Sequence, residues 1–216
     1  MGTFTTIEEL GKSTREPVVL ALGMFDGVHL GHQMVLNSAV RRAEEIDGRP
    51  IAFTFSEHPA SFLRPEKKPP LLMDPENKAS QLLKFGMEDV VLRTFDAEIS
   101  RVEAAVFPKF LKDRIPTLKT LCIGRNFRFG KNRRGDDSYL ANQSRLSEIE
   151  VIVAESKVFG GSPISSSRIR ETLAMGDIET TNEMLGRNYS VRGVVRSGKA
   201  IGRTLGFPTL NLPWNP

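Results

Sequence analysis

The apolar run Val18-Val-Leu-Ala-Leu22 leads without a break into Gly23-Met-Phe-Asp-Gly-Val-His-Leu-Gly-His32, and a helical pattern from about Leu30 to Ile46 follows. A strand that opens through glycines onto a helix start leaves backbone N–H groups free. It also aims the positive end of the helix dipole at whatever sits there, which suits phosphate. His29 and His32 are three residues apart and share one face above the helix N-terminus. Imidazole donates to phosphate oxygens and changes charge near neutral pH. No Gly-Lys-Ser/Thr follows, so this is not a P-loop. Two His at a helix start, or Asp26-Gly27 as a turn, are each commonplace. Their combination with a preceding strand and the glycines at 23, 27 and 31 favours a phosphate site.

The rest of the chain repeats the strand-then-helix texture. Val18–Leu22, Ile51–Phe55, Val90–Leu92, Thr120–Ile123 and Val151–Val153 read as strands. Leu30–Ile46, Glu76–Phe85, Arg101–Ile115, Asp137–Leu146, Arg168–Ala174 and Ile178–Leu185 read as helices. This alternation predicts an α/β fold of Rossmann-like type, a mainly parallel sheet with helices on both faces. Ligands of such sheets bind beyond the carboxyl ends of the strands. Gly23 to His32, Ser56-Glu-His-Pro59 and Gly124 to Gly130 all fall at such ends. Ser165 or Ser166 is placed to cap the helix that follows, Gly176 to end it, Asp177 to cap the next and Gly186 to end that. After Gly186 the texture changes, and Tyr189–Val195 alternates like a half-buried strand. The expected division is residues 1–185 and residues 186–216, the second too short for a core of its own.

Composition narrows the class. The 216 residues contain 39% hydrophobic and 26% charged residues, as a globular protein does. The net charge of +4 suits small anions and does not require nucleic acid. A lone Cys122 in an apolar run excludes an internal disulfide and reads as a buried small hydrophobe. No Cys/His cluster has zinc spacing. The N-terminus lacks a signal-peptide core, and Val18–Phe25 falls far short of the ~20 residues of a membrane span. A cytoplasmic setting without a membrane partner is expected.

Three further segments carry chemistry. From Gly124 to Arg134, Arg125, Arg128, Lys131, Arg133 and Arg134 surround Asn126 and alternate with Phe127 and Phe129, with no acid between. This reads as a phosphate loop beside a planar ring, as a platform for single-stranded nucleic acid, or as a solvated loop with Phe127 and Phe129 tucked into the core, the last applying most to Lys131, Arg133 and Arg134. Ile164-Ser-Ser-Ser-Arg-Ile-Arg170 opens a helix with more hydroxyls than capping needs, and its arginines match phosphate. Arg168 and Arg170 face different ways, and Arg168, nearer the positive end, is favoured as the phosphate partner. His58 before Pro59 is held extended; the pair reads on its own as a turn, or as a place where His58 lines a pocket. Near the end, Thr209 and Asn211 alternate along an extended segment; they read either as a turn leading into a strand or as a hydroxyl and a carboxamide on one face that can serve a hydrated Mg²⁺.

Taken in order, these segments resemble the bacterial bifunctional riboflavin kinase/FMN adenylyltransferases, also called FAD synthetases. Phe-Asp-Gly-x-His-x-Gly-His is matched at Phe25 to His32. Gly-x-(Asp/Asn)-Phe-x-Phe-Gly is matched at Gly124 to Gly130. Ile-Ser-Ser-Thr/Ser-x-Ile-Arg is matched at Ile164 to Arg170, and Gly-Arg-x-Leu-Gly-Phe-Pro-Thr-x-Asn at Gly202 to Asn211. Departures are Met24 for Asn, Glu57 for Pro, Ser167 for Thr and Leu210 for Ala. None removes a group assigned to catalysis.

The resemblance implies a nucleotidyltransferase domain at 1–185 followed by the start of a β-barrel riboflavin kinase module at 186–216. It implies transfer of AMP from ATP to FMN, giving FAD and pyrophosphate, with Mg²⁺ on the triphosphate. Kinase activity is expected only of a longer form, and none of this chain as given. By the same resemblance His29 and His32 contact the ATP phosphates. Ser166, Ser167 and Arg168 hold the β- and γ-phosphates from the other side, and Asn126 sits near the reacting phosphates. Gly23, Phe25, Asp26, Gly27, Gly31, Gly124 and Arg128 line the ligand, and His58 and Phe127 lie on the flavin side. Thr209 and Asn211 correspond to the kinase magnesium site. The alternatives are a nucleotide-binding regulator without chemistry, a nucleotidyltransferase for another phosphorylated acceptor, and a nucleic-acid binder using the Gly124–Arg134 loop. No nucleic-acid partner is expected.

Overall fold

A computed structural model describes residues 3–144, 148–199, 201–207 and 209–212. In chain order the elements are β1 (Thr3–Thr5), α1 (Ile7–Ser13), β2 (Val18–Leu22), α2 (Leu30–Glu45), β3 (Arg49–Phe55), α3 (Ala60–Leu63), α4 (Pro75–Lys84) and β4 (Asp89–Arg93). They continue as α5 (Ala97–Arg101), α6 (Phe107–Arg114), β5 (Leu118–Gly124), α7 (Asp137–Ser144), β6 (Glu150–Ala154), β7 (Val158–Phe159), β8 (Ser162–Pro163), α8 (Ser166–Ala174), α9 (Ile178–Leu185) and α10 (Ile201–Thr204).

β1 to β6 form one parallel sheet in the order β1-β4-β3-β2-β5-β6. The chain steps outward from β2 through β3 to β4, then returns to β5 on the other side of β2. The switch point of this α/β sheet therefore lies between β2 and β5, where ligand crevices form. Alternate residues of β2 serve opposite faces. Val18, Leu20 and Leu22 join a core with α1 and α6, whereas Val19 and Ala21 pack with Val35, Leu36 and Ala39 of α2 and with Leu82 of α4. Helices on both faces bury every residue of β2, which accounts for its unbroken apolar run.

Several sequence expectations need correction. Arg101–Ile115 is not one helix. Pro108 has no N–H and occupies the first turn of α6, so the chain breaks there into α5, a short 3₁₀ turn and α6. Tyr189–Val195 forms no strand; among the described residues of this segment the pairing is an isolated bridge between Arg196 and Asn211, and Val194 and Val195 are exposed. Strand β1 and the β7–β8 hairpin are too short to show a period. The helix expected from Arg168 starts two residues earlier, at Ser166. The end of the helix expected to reach Leu146 lies outside the described residues, as does Pro208.

Candidate active site

β3, β2 and β5 are neighbours in the sheet, so the segments that follow them meet at one edge. The turn after β2 is held in an unusual conformation. Phe25 and Val28 have φ of 48° and 39°, and Gly27 has φ of 84°. A Cβ on Gly27 would also lie 2.7 Å from Leu72 Cδ1, so a side chain there meets both the left-handed φ and a leucine that would have to move. The Met24 carbonyl accepts hydrogen bonds from Thr54 Oγ1 at 2.8 Å and from Lys78 Nζ at 3.2 Å.

Asp26 is the hub of this turn. It is 1% exposed. Its Oδ1 accepts from the Leu72 N–H at 2.9 Å, its Oδ2 pairs with the Arg170 guanidinium, and its carbonyl accepts from Ser166 Oγ at 2.9 Å. The starts of α2 and α8 are thereby brought to the same turn. Neither helix carries an acid in its own first turn, so Asp26, itself paired with Arg170, is the carboxylate between two positive helix ends.

His29 is the N-cap of α2. Its Nδ1 accepts from the His32 N–H at 3.2 Å. The His29 and His32 rings stack with centroids 3.6 Å apart, and Phe25 meets His32 edge-on at 5.4 Å. A Cβ on Gly31 would lie 3.1 Å from the His29 ring, so the glycine lets the imidazole lie back over the helix start. Burial first, and the nearby Arg187 and Arg170 charges, push the His29 pKa down to about 4. Burial and the adjoining His29 ring push His32 well below its ordinary value. Both imidazoles are therefore neutral near pH 7. With Nδ1 accepting, His29 carries its proton on Nε2 and offers an uncharged N–H donor. His32 Nδ1 is buried without a hydrogen-bond partner among the described residues.

Ser165 rather than Ser166 caps α8, accepting from the Arg168 N–H at 3.3 Å. That leaves the Ser166 hydroxyl for Asp26 and Ser167 exposed. Arg168 donates to the carbonyls of Ser162, Pro163 and Phe159 in the hairpin. It is Arg170 that reaches the first turn, whereas the sequence argument preferred Arg168. His58 is half-buried and accepts from the Ala60 N–H at 3.1 Å. Burial lowers its pKa most, and the Arg170, Arg133 and Lys78 charges act the same way against Asp26. His58 thus stands in the same electrostatic field as the Asp26 turn.

Beyond β5, Gly124 accepts from the Phe127 N–H at 3.0 Å. Asn126 is exposed, and Arg128 pairs with Asp136 at 2.8 Å. Phe129 is in the core and Phe127 stacks on it at 5.7 Å. The loop consequently does not present two free aromatic faces, as a nucleic-acid platform would. Arg125, Arg133 and Arg134 are without ion-pair partners among the described residues. Gly23 donates from its N–H to the Phe53 carbonyl at 3.2 Å, joining the mouths of β2 and β3.

Thr209 and Asn211 are remote from this turn in sequence and exposed; the Thr209 side chain lies beside Gly202 and that of Asn211 beside Gly198. No group of three or more His, Cys, Asp or Glu that would hold a metal exists among the described residues. Asp26 has both carboxylate oxygens engaged, so the site does not fit a protein-held cation. No helix among them is long and apolar enough to cross a membrane.

Two residues here have no counterpart in the sequence argument. Lys78, on α4, is 1% exposed and donates to the carbonyls of Met24 and Phe55. Its only sequence signal was a charge at a position where the α4 pattern wants an apolar residue. Arg187 donates to the Gly27 carbonyl at 2.7 Å and to the Val28 carbonyl at 3.3 Å; its place beyond the expected domain end concealed it.

Comparison with known proteins agrees with this arrangement. The FAD synthetase family model matches residues 11–168 and the riboflavin kinase model residues 185–216. The chain is 37% identical over 218 residues to the bifunctional riboflavin kinase/FMN adenylyltransferase of Bacillus subtilis, covering 96% of this chain and 64% of the relative. To the protein of the same name from Haemophilus influenzae it is 34% identical over 195 residues, covering 89% and 63%. The chain thus spans somewhat less than two thirds of these relatives' length. Among solved structures, one described as a macrolide-efflux protein from Streptococcus pneumoniae superposes with a TM-score of 0.81 at 27% identity, over 96% of this chain and 67% of that one. With the family model covering most of the chain, and its matched stretch holding the β2 turn, His58 and the Gly124 loop, this chain belongs to the FAD synthetase family.

Proposed function

We propose that the chain transfers AMP from ATP to FMN. A phosphate oxygen of FMN attacks the α-phosphorus of ATP, the bond from that phosphorus to the bridging oxygen of the β-phosphate breaks, and pyrophosphate leaves. The nucleophile arrives ionised, so no strong base is needed, and two neutral imidazoles are compatible with that. Catalysis rests on positioning and on neutralising charge on the departing phosphates. The observation that carries the reading is the convergence of the α2 and α8 starts on Asp26, the stacked His29 and His32 at one and Ser166 at the other.

His29 and His32 donate to phosphate oxygens from the α2 side. Ser166, Ser167 and Arg168 serve the β- and γ-phosphates from the α8 side, and Asn126 serves the reacting phosphates. Gly23, Phe25, Asp26, Gly27, Gly31, Gly124 and Arg128 shape the crevice, and His58 and Phe127 the flavin side. Any Mg²⁺ comes with ATP as part of the substrate. Residues 1–185 form the transferase unit and 186–216 belong with a riboflavin kinase module, a division that the two family matches support. Thr209 and Asn211 are assigned to that module's magnesium site. The use of ATP fits a cytoplasmic setting.

The test is production of FAD from FMN and MgATP, followed by fluorescence after separation of the flavins. His29→Ala and His32→Ala are each expected to slow it by at least ~10²-fold, the scale for losing one positioned electrostatic group. Absence of FAD with the parent chain, or near-normal turnover in both variants, overturns the assignment.

A further inference from the structure

The turn that presents His29 is gripped from an unexpected direction. Val28 is β-branched and sits at φ 39°, a conformation that persists only where the surroundings enforce it. Arg187 holds the two carbonyls on either side of it, those of Gly27 and Val28. Gln33 Nε2 braces the same Val28 carbonyl at 3.0 Å and the Leu185 carbonyl at 3.0 Å. In a planar trans peptide the carbonyl and the following N–H point opposite ways. Turning the Val28 carbonyl onto Arg187 therefore fixes the His29 N–H on the other side.

Arg187 does not lie in the stretch matching the FAD synthetase model, residues 11–168, but in the stretch matching the riboflavin kinase model, residues 185–216. It is half-buried, and after burial its charge is the largest influence keeping the His29 ring neutral. We propose that Arg187 is a positioning residue for adenylyl transfer: from inside the kinase-like segment it grips the Gly27 and Val28 carbonyls and so fixes the turn that presents His29. The activity arm of this inference rests on the adenylyl-transfer reading; the ring-titration arm does not. A guanidinium fork spans two carbonyls, which a lysine ammonium on a flexible stem does not reproduce.

The experiment compares the full chain with its Arg187→Met and Arg187→Lys variants. The His29 ring is titrated by NMR, and kcat and KM are measured for FAD formation. In the parent the ring stays neutral down to about pH 5, given a pKa of about 4. Arg187→Met is expected to move that titration upward and to lower kcat at least ~10-fold, the low end of the effect of a misplaced catalytic group, with KM for FMN within about twofold. Arg187→Lys is expected to keep the ring titration near that of the parent while kcat falls. An unmoved His29 titration in Arg187→Met, or kcat within about twofold of the parent in either variant, overturns the inference. A parent that makes no FAD overturns the proposed function instead, and the ring titration then decides on Arg187. If Arg187→Met does not fold, Arg187→Lys carries the test on kcat.

Discussion

Asp26 and Arg170, 144 positions apart, form an ion pair that ties the turn after β2 to α8. Asp26 is almost fully buried and the Arg170 side chain is 16% exposed. Pairs of this kind contribute little against an apolar replacement, but removing one partner strands the other charge. Asp26→Asn is therefore expected to destabilise the fold by about 3 kcal/mol, the lower end for a stranded buried charge, because Arg170 keeps some water. The double variant Asp26→Asn/Arg170→Met should recover part of that loss. Urea unfolding of the parent, both single variants and the double variant measures the coupling; a loss below ~1 kcal/mol in Asp26→Asn, the value of an ordinary hydrogen bond, contradicts the stranded-charge account.

The His29 ring makes stability depend on acid. Its folded pKa of about 4 lies below the unfolded value of 6.5. Between those values the unfolded chain binds a proton that the folded chain does not, so stability falls as pH drops. Above 6.5 the effect is absent and below about 4 it is complete. From pH 7 to pH 5 this one ring should account for about 2 kcal/mol of lost stability. His29→Asn, which keeps a capping side chain, should remove this ring's share of the slope and leave the share of His32, whose burial depresses it in the same direction. Denaturant melts at the two pH values decide, and an equal slope in parent and variant rules out His29 as its source.

Much of this arrangement was readable before the fold was known. β2 announced itself because burial on both faces leaves no polar position in Val18–Leu22, and His29 and His32 because helical spacing places them together. Asp177 and Gly186 bound α9 as their capping chemistry requires. What escaped was long-range. Arg168 stands out locally only by lying nearer the positive helix end; that Arg170 reaches Asp26, while Arg168 meets the carbonyls of a hairpin too short to foresee, has no local signal. Lys78 and Arg187 were hidden for the same reason, since their partners are backbone carbonyls of a distant turn and leave no mark on the sequence around them.

Lys78 links the mouths of β2 and β3 through the Met24 and Phe55 carbonyls, and burial lowers its pKa to about 8. The ammonium is the form that donates to both carbonyls. FAD formation is expected to fall along an alkaline limb with an apparent pKa of about 8 as that link weakens. Arg replaces the ammonium with a group that stays charged in this range, so Lys78→Arg should move the limb upward, even if its rate at pH 7 is reduced. A pH–rate profile whose alkaline limb is the same in parent and variant removes Lys78 from the account.

Gly27 and Gly176 separate backbone conformation from close approach. Both have left-handed φ, at 84° and 76°. A Cβ at Gly176 meets nothing within 4 Å, whereas at Gly27 it would lie 2.7 Å from Leu72 Cδ1 and 3.6 Å from Leu185 Cδ2. Gly176→Ala thus carries only the conformational penalty, about 1 kcal/mol. Gly27→Ala adds displacement of Leu72, whose N–H is the donor to Asp26, and overpacking of this kind adds roughly 1–3 kcal/mol. The loss should also be uneven in function. Gly176→Ala should make FAD at near the parent rate, whereas Gly27→Ala should lose at least ~10-fold in kcat, because the shift is delivered to the turn that carries His29. Stability and turnover of the two variants, measured side by side, test this; equal losses in both would mean that φ alone, and not the contact with Leu72, dictates glycine at position 27.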